Sequence, residues 1–177
     1  MDDFYEVFTY VNENFYKPNN LIVKDIQEEI QNEKYGSGRF RMNSKTVRFR
    51  VARKTPKKIG QFVVCWEKGS DNKNQAYSYE DATDLLVINT FGSHNKFGQF
   101  IFPKDILLEH NILRTDTSNG KMAIRVYPSW DTPTSKHAIA TQRWQLPYFI
   151  NMDHASSLQE FGKYFVDDAD SGSHLPG

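Results

Sequence analysis

The sequence predicts a mixed α/β fold of the α+β kind: one domain whose central mixed sheet is flanked by helices. Three observations predict it. Phe4, Val7, Phe8, Val11 and Phe15 recur at helical spacing. After Gly38 the period changes, and in Thr46 to Ala52 the apolar Val47, Phe49 and Val51 alternate with Arg48 and Arg50. Three short apolar runs then follow, at 60–66, 84–88 and 98–103, each set between polar loops and each reading as an inner strand.

Taken in order, the first amphipathic helix stops at Lys17-Pro18-Asn19-Asn20. Ile22, Ile26 and Ile30 lie four apart and predict a second helix. Tyr35-Gly36-Ser37-Gly38 reads as a loop. Arg53 to Lys58 contains Thr55-Pro56 and reads as a turn between strands, and Glu67 to Tyr79 as a polar surface loop. Asp84 to Ile88 and Gly98 to Pro103 form strands joined by the Gly92-Ser93 loop, and Pro103 ends the ladder because it has no N–H to donate. Lys104 to His110 is a short helix, Lys121 to Tyr127 a strand. Asp131-Thr132-Pro133-Thr134 predicts a helix start running to about Leu146. Leu158, Phe161 and Phe165 mark a last helix. The expected domain spans 1–166, with N-terminal helices in 1–36 and a core in 39–150; 167–177 is expected to be a disordered tail.

The 177 residues are long enough to bury a core, and 13 Phe, 9 Tyr and 3 Trp make ring packing much of it. The single cysteine, Cys65, excludes an intramolecular disulfide. No apolar run approaches membrane-spanning length, and the acidic start MDDFYEVFTY is unlike a signal peptide, so the expectation is a cytoplasmic protein with no membrane contact. Nothing in the sequence sets an oligomeric state.

Net charge is zero, but unevenly so. Arg39 to Lys58 holds nine basic residues and no acid, while the rest of the chain carries 13 basic against 22 acidic. Such a strip attracts polyanions; its plain alternative is a solvated strand and turn paired with the acidic remainder. Strand alternation places Arg48 and Arg50 on one outward face, and the following turn brings Arg53, Lys54, Lys57 and Lys58 near its end. Gln61, Gln99 and Arg125 are candidates for a polar groove beside the strip. Gln142 and Arg143 are further polar candidates there, and Tyr127, Trp130 and Trp144 offer stacking surfaces. Structural hydrogen bonding and ring packing are the alternatives for each.

Other chemistry finds less support. Cys65 and the five histidines show no paired metal-ligand spacing, and phosphate-binding glycine loops and a GxSxG elbow are absent. A magnesium nuclease needs carboxylates at strand ends and a nearby lysine. Asp84 fits the first place, but Gln99 and Ile101 stand where an acid and a lysine belong on the next strand. Asp84, Glu67 and Lys104 are the catalytic candidates if the arrangement is nonstandard.

Four segments in order, Ala52-Arg53-Lys54-Thr55-Pro56-Lys57-Lys58-Ile59-Gly60-Gln61-Phe62-Val63, Gly98 to Lys104, Arg125 to Asp131 and Thr141 to Gln145, resemble the MepB family of bacterial, efflux-operon-associated proteins. The resemblance covers roughly Val47 to Phe149. It implies a restriction-endonuclease-like architecture and a nucleic-acid partner. Three functions compete: a nucleic-acid-binding protein without catalysis or cofactor, DNA ahead of RNA; a magnesium-dependent nuclease; and a protein-interaction or small-molecule module linked to drug efflux.

Overall fold

Six strands build the central sheet of the computed structural model, which describes residues 3–153 and 162–165. They are β1 (Val23–Glu28), β2 (Gly38–Met42), β3 (Lys45–Val51), β8 (Leu85–Phe91), β9 (Phe97–Pro103) and β11 (Phe149–Asn151), side by side in that order. Neighbours run antiparallel except β3 and β8, which are parallel, so the sheet is mixed. A second, three-stranded sheet has the order β10 (Ala123–Val126), β5 (Lys58–Val64), β4 (Arg53–Thr55). β6 (Trp66–Lys68) and β7 (Asn74–Ala76) make a small hairpin. Among the described residues, three α-helices accompany the sheets: α1 (Phe4–Val11), α2 (Lys104–Glu109) and α3 (Lys136–Gln145). The fold is mixed α+β, as expected.

The central sheet is covered on both faces. On one lies α1, continued by a π-helical turn (Asn12–Tyr16) and a 3-10 turn (Lys17–Asn19) until Asn20 takes a left-handed φ of 59°. Phe4, Val7, Phe8 and Val11 bury the helical stripe against Phe40, Val47, Phe49, Val87 and Ile101. The Phe4 and Phe49 rings meet edge-on at 5.6 Å, and Phe8 packs on Phe40 at 5.2 Å. On the other face, Val63, Cys65, Ile124 and Val126 of the second sheet, with Leu107 of α2, enclose Leu86, Ile88, Phe100 and Phe102. Each full burial of a ring or branched side chain is worth about 1.5–3 kcal/mol, so the two layers supply most of what holds the sheet.

Several expectations are corrected. Ile22, Ile26 and Ile30 do not form a helix; Val23–Glu28 is an edge strand, and the three isoleucines are 63%, 39% and 86% exposed. Four-residue spacing alone gives no apolar stripe wide enough to bury a helix, whereas β-branched side chains suit pairing with the otherwise open edge of β2. A register shift between Lys24 and Gln27, with Asp25 at φ 55°, bends this edge. Of the run 60–66, residues 60–64 lie in β5, which pairs with β4 and β10 and not with the central sheet, while Cys65 leaves the ladder and Trp66 opens β6. Part of the expected loop 67–79 is the β6–β7 hairpin. The helix expected from Asp131 starts at Lys136, because Ser135 caps it, its Oγ accepting from the Ala138 N–H at 3.1 Å. β11 was not anticipated. Of the last expected helix, only Gly162–Phe165 falls among the described residues, as a 3-10 turn whose Phe165 packs against Tyr16; Leu158, Phe161 and the tail lie outside them.

Candidate nucleic-acid interface

The largest correction concerns Arg48 and Arg50. Alternation does put them on one face of β3, but that face is covered by the second sheet, and they are 7% and 0% exposed. Arg50 Nη1 donates to Glu29 Oε1 at 3.0 Å and to the Phe49 carbonyl, Nε to the Val64 carbonyl, and Nη2 to the Tyr77 hydroxyl at 2.7 Å. Arg48 donates to both Glu29 oxygens and lies 3.6 Å over the Tyr77 ring. These are internal cations, satisfied by Glu29, backbone and an aromatic face. Cys65 is buried beside them, and burial pushes its thiol up, against the pull of both guanidiniums.

Gln99 also lies inside. It is fully buried and donates to Asn89 Oδ1 at 2.7 Å, while Asn89 donates to the Arg50 carbonyl. Burial pushes the Tyr16 hydroxyl up, with the nearby Gln99 side chain pulling the other way. Gln61 is buried too, its amide donating to the Phe91 carbonyl at 2.9 Å, and it lies at a recess of about 470 Å³ shared with Lys54 and Gly92.

The surface part of the strip is the β4–β5 hairpin. Lys54, Lys57, Lys58 and Ile59 are exposed around its turn. Across the second sheet, Arg53, Phe62 and Arg125 stand in one row, since Phe62 pairs with Arg53 on one side and Arg125 on the other. Arg53 sits 5.7 Å over the Tyr35 ring, Arg125 5.9 Å over Phe62, and the Phe62 and Tyr35 rings meet at 6.0 Å. The outer face is thus cationic with rings between the charges. Arg125 Nη1 also donates to the Gly60 carbonyl at 3.3 Å. Gly60 has φ +84°, and a Cβ there would lie 2.7 Å from the Tyr127 ring, so only glycine lets the strand pass. Among the described residues, Lys57, Lys58 and Arg125 have no carboxylate partner. Lys54 and Lys96 lie near Asp131, whose half-buried carboxyl is pushed up by burial although both lysines and the Gly60 N–H favour its charged form.

α3 is tied to β10 by two glutamines. Gln145 accepts from the Tyr127 N–H and donates to the Arg125 carbonyl, which closes the edge of β10 there as another strand would. Gln142 donates toward the Pro128 and Asp131 carbonyls and is structural. Trp130 is half-buried and packs edge-on against Phe149. Trp144 is half-buried, stacked on His110.

The nuclease candidates serve other ends. Asp84 Oδ2 accepts from the Thr46 N–H and hydroxyl, joining the starts of β3 and β8. Glu67 pairs with Arg114 at 3.3 Å. Lys104 lies 4.7 Å over the Tyr79 ring. Among the described residues, no three His, Cys, Asp or Glu side chains are grouped as a metal site, and no helix is long and apolar enough to cross a membrane.

The MepB-like family model matches residues 29–151, well over half of the sequence. The chain belongs to the MepB-like family. A crystal structure of MepB is 39% identical to it, with a TM-score of 0.74 over 84% of this chain and 95% of that one. A bacterial homing endonuclease is 13% identical, with a TM-score of 0.42 over 84% of this chain and 86% of its own, a likeness too slight to rest anything on. No curated protein matches. The MepB-like match opens at Glu29, the carboxylate that holds Arg48 and Arg50, and closes at the end of β11; α1 lies outside it.

His137 and Lys121, which the sequence reading passed over, line the groove between β10 and α3 beside Arg125. His137 had a signal available: it lies seven residues before Trp144, on the same helical face.

Proposed function

We propose that this MepB-like protein binds nucleic acid through the β4–β5 hairpin and the outer face of the second sheet, without cutting it. The observation that carries the reading is the exposed pair Lys57 and Lys58 with the half-buried Arg125, all three free of carboxylate partners among the described residues and set on the face that holds the Phe62 and Tyr35 rings. Cations interleaved with rings suit a phosphate backbone and its bases, whereas a protein partner's carboxylates would make no use of the rings. DNA is the first substrate to test. Binding rather than hydrolysis is favoured because Asp84 is engaged by Thr46, Glu67 by Arg114 and Lys104 by Tyr79.

The deciding experiment is a titration of labelled 20-mers at several salt concentrations, with the parent and Lys57→Ala/Lys58→Ala/Arg125→Gln. The parent should lose affinity steeply with salt, and the variant should bind more weakly with a slope flatter by about one unit per lost phosphate contact. Equal binding by both at every salt concentration would remove the hairpin as the interface.

A further inference from the structure

The groove between β10 and α3 has a composition that the hairpin alone does not explain. It encloses about 590 Å³, inside the roughly 300–1,000 Å³ range of small-molecule sites. Ile112, Ile124 and Ala140 give it apolar lining. His110 and Trp144 line it as a face-to-face stack, their rings 3.9 Å apart and within 9° of parallel. Lys121, Arg125 and His137 supply the polar side, and no Asp or Glu lines it. The groove shares Arg125, Tyr127 and His137 with a second recess of about 500 Å³ that reaches Lys57 and Lys58. The recess that holds the exposed lysines of the hairpin therefore adjoins the apolar slot, with Arg125, Tyr127 and His137 common to both.

We infer that this groove takes one unpaired nucleotide of a single-stranded nucleic acid, its base continuing the His110–Trp144 stack and its phosphate toward Arg125. This rests on the hairpin reading above and deepens it. An apolar slot with cations and no acid complements a ligand that is flat and aromatic at one end and anionic at the other. Bases in an intact duplex are stacked inside and reach such a slot only after extrusion, so the groove selects single strands or ends. Lys57 and Lys58, one recess away, hold the flanking backbone.

The test compares single-stranded DNA, single-stranded RNA and duplex DNA of one sequence at one salt concentration. Three proteins are used: the parent, Ala140→Trp and Lys57→Ala/Lys58→Ala. Ala140 is an exposed α3 residue that lines the groove, so tryptophan there fills the slot without entering the core. The parent should bind a single strand, DNA or RNA, about tenfold or more tighter than the duplex, in line with the worth of one stacked base. Ala140→Trp should bring that affinity down to the duplex level and leave duplex binding unchanged. The lysine double variant should weaken both substrates alike. Equal affinity for single strand and duplex, or unaltered single-strand binding by a folded Ala140→Trp, overturns the groove assignment. A lysine double variant that matches the parent on every substrate overturns the hairpin reading instead, and the Ala140→Trp comparison still judges the groove by itself.

Discussion

Glu29 Oε1 lies 3.0 Å from Arg50 Nη1 and 3.3 Å from Arg48 Nε, so one carboxylate at the end of the edge strand serves two buried guanidiniums of β3. The edge strand is thereby anchored by charge as well as by its ladder to β2. Removing one partner of a buried pair leaves an uncompensated charge, which costs about 3–5 kcal/mol. Glu29→Ala should lower unfolding stability by that order, read as a shift in urea midpoint with an unchanged slope. An unchanged midpoint would show that the two arginines are held by backbone and Tyr77 alone.

Replacing Arg48 and Arg50 should not behave like replacing surface charges. Arg48→Ala/Arg50→Ala should unfold or severely destabilise the protein, because Tyr77, Glu29 and the Val64 carbonyl lose their donors. Lys57→Ala/Lys58→Ala should keep thermal stability within about 0.5 kcal/mol of the parent, as surface substitutions do. Parallel melting curves check both, and a stable arginine double variant would return these residues to the surface.

Asp131 sets a pH dependence at the hairpin. Its carboxyl is held above the ordinary range chiefly by burial. The native state thus binds this proton more tightly than the unfolded chain does. The resulting stability is present below the unfolded carboxyl's pKa and is lost as pH rises through the native one. At neutral pH the ionised group is a cost, so Asp131→Asn should be no less stable than the parent there, and relatively less stable in acid. The same change removes a negative charge beside Lys54 and Lys96 and should strengthen nucleic-acid binding at pH 7. Unfolding curves from pH 3 to 8, with binding at pH 7, check the two halves.

Cys65 should be inert in the folded protein. It is 3% exposed, and burial pushes its thiol up. A thiol held protonated and covered reacts only when the chain opens. Labelling with a disulfide reagent at pH 8 should be slow in buffer and complete quickly in denaturant; rapid labelling in buffer would show a local opening of the second sheet.

Metal-dependent cleavage is not expected. With magnesium or manganese, neither DNA nor RNA should be cut, and Asp84→Ala should be read out in stability, since Thr46 would lose its acceptor. Cleavage that vanishes in a folded Asp84→Ala would instead establish the nuclease reading.

Much of the local structure was legible in the residues themselves. Helical spacing from Phe4 to Val11 marked α1, and alternation from Val47 to Val51 marked β3 and assigned its residues to the right two faces. The runs 84–88 and 98–103 paired as a hairpin, and the turn expected over Arg53 to Lys58 falls at Pro56-Lys57, its first three residues being the unanticipated strand β4. These follow from chain geometry, in which the period of the apolar residues sets the element and proline or glycine breaks it. Of the candidate site, Arg53, Lys54, Lys57, Lys58 and Arg125 were legible.

What the sequence could not decide was which faces would be covered. Alternation says that Arg48 and Arg50 share a face, but whether that face meets water depends on β5 and β10, which lie elsewhere in the chain and form a separate sheet over it. For the same reason the apolar run 60–66 declared a strand without declaring its partners, and Ile22, Ile26 and Ile30 could not reveal that, among the described residues, no layer covers them. Period is a property of a few neighbouring residues, whereas burial is set by layers assembled from distant ones. That assembly turned two predicted surface arginines into interior ion pairs, and left the proposed nucleic-acid face to a hairpin and a groove.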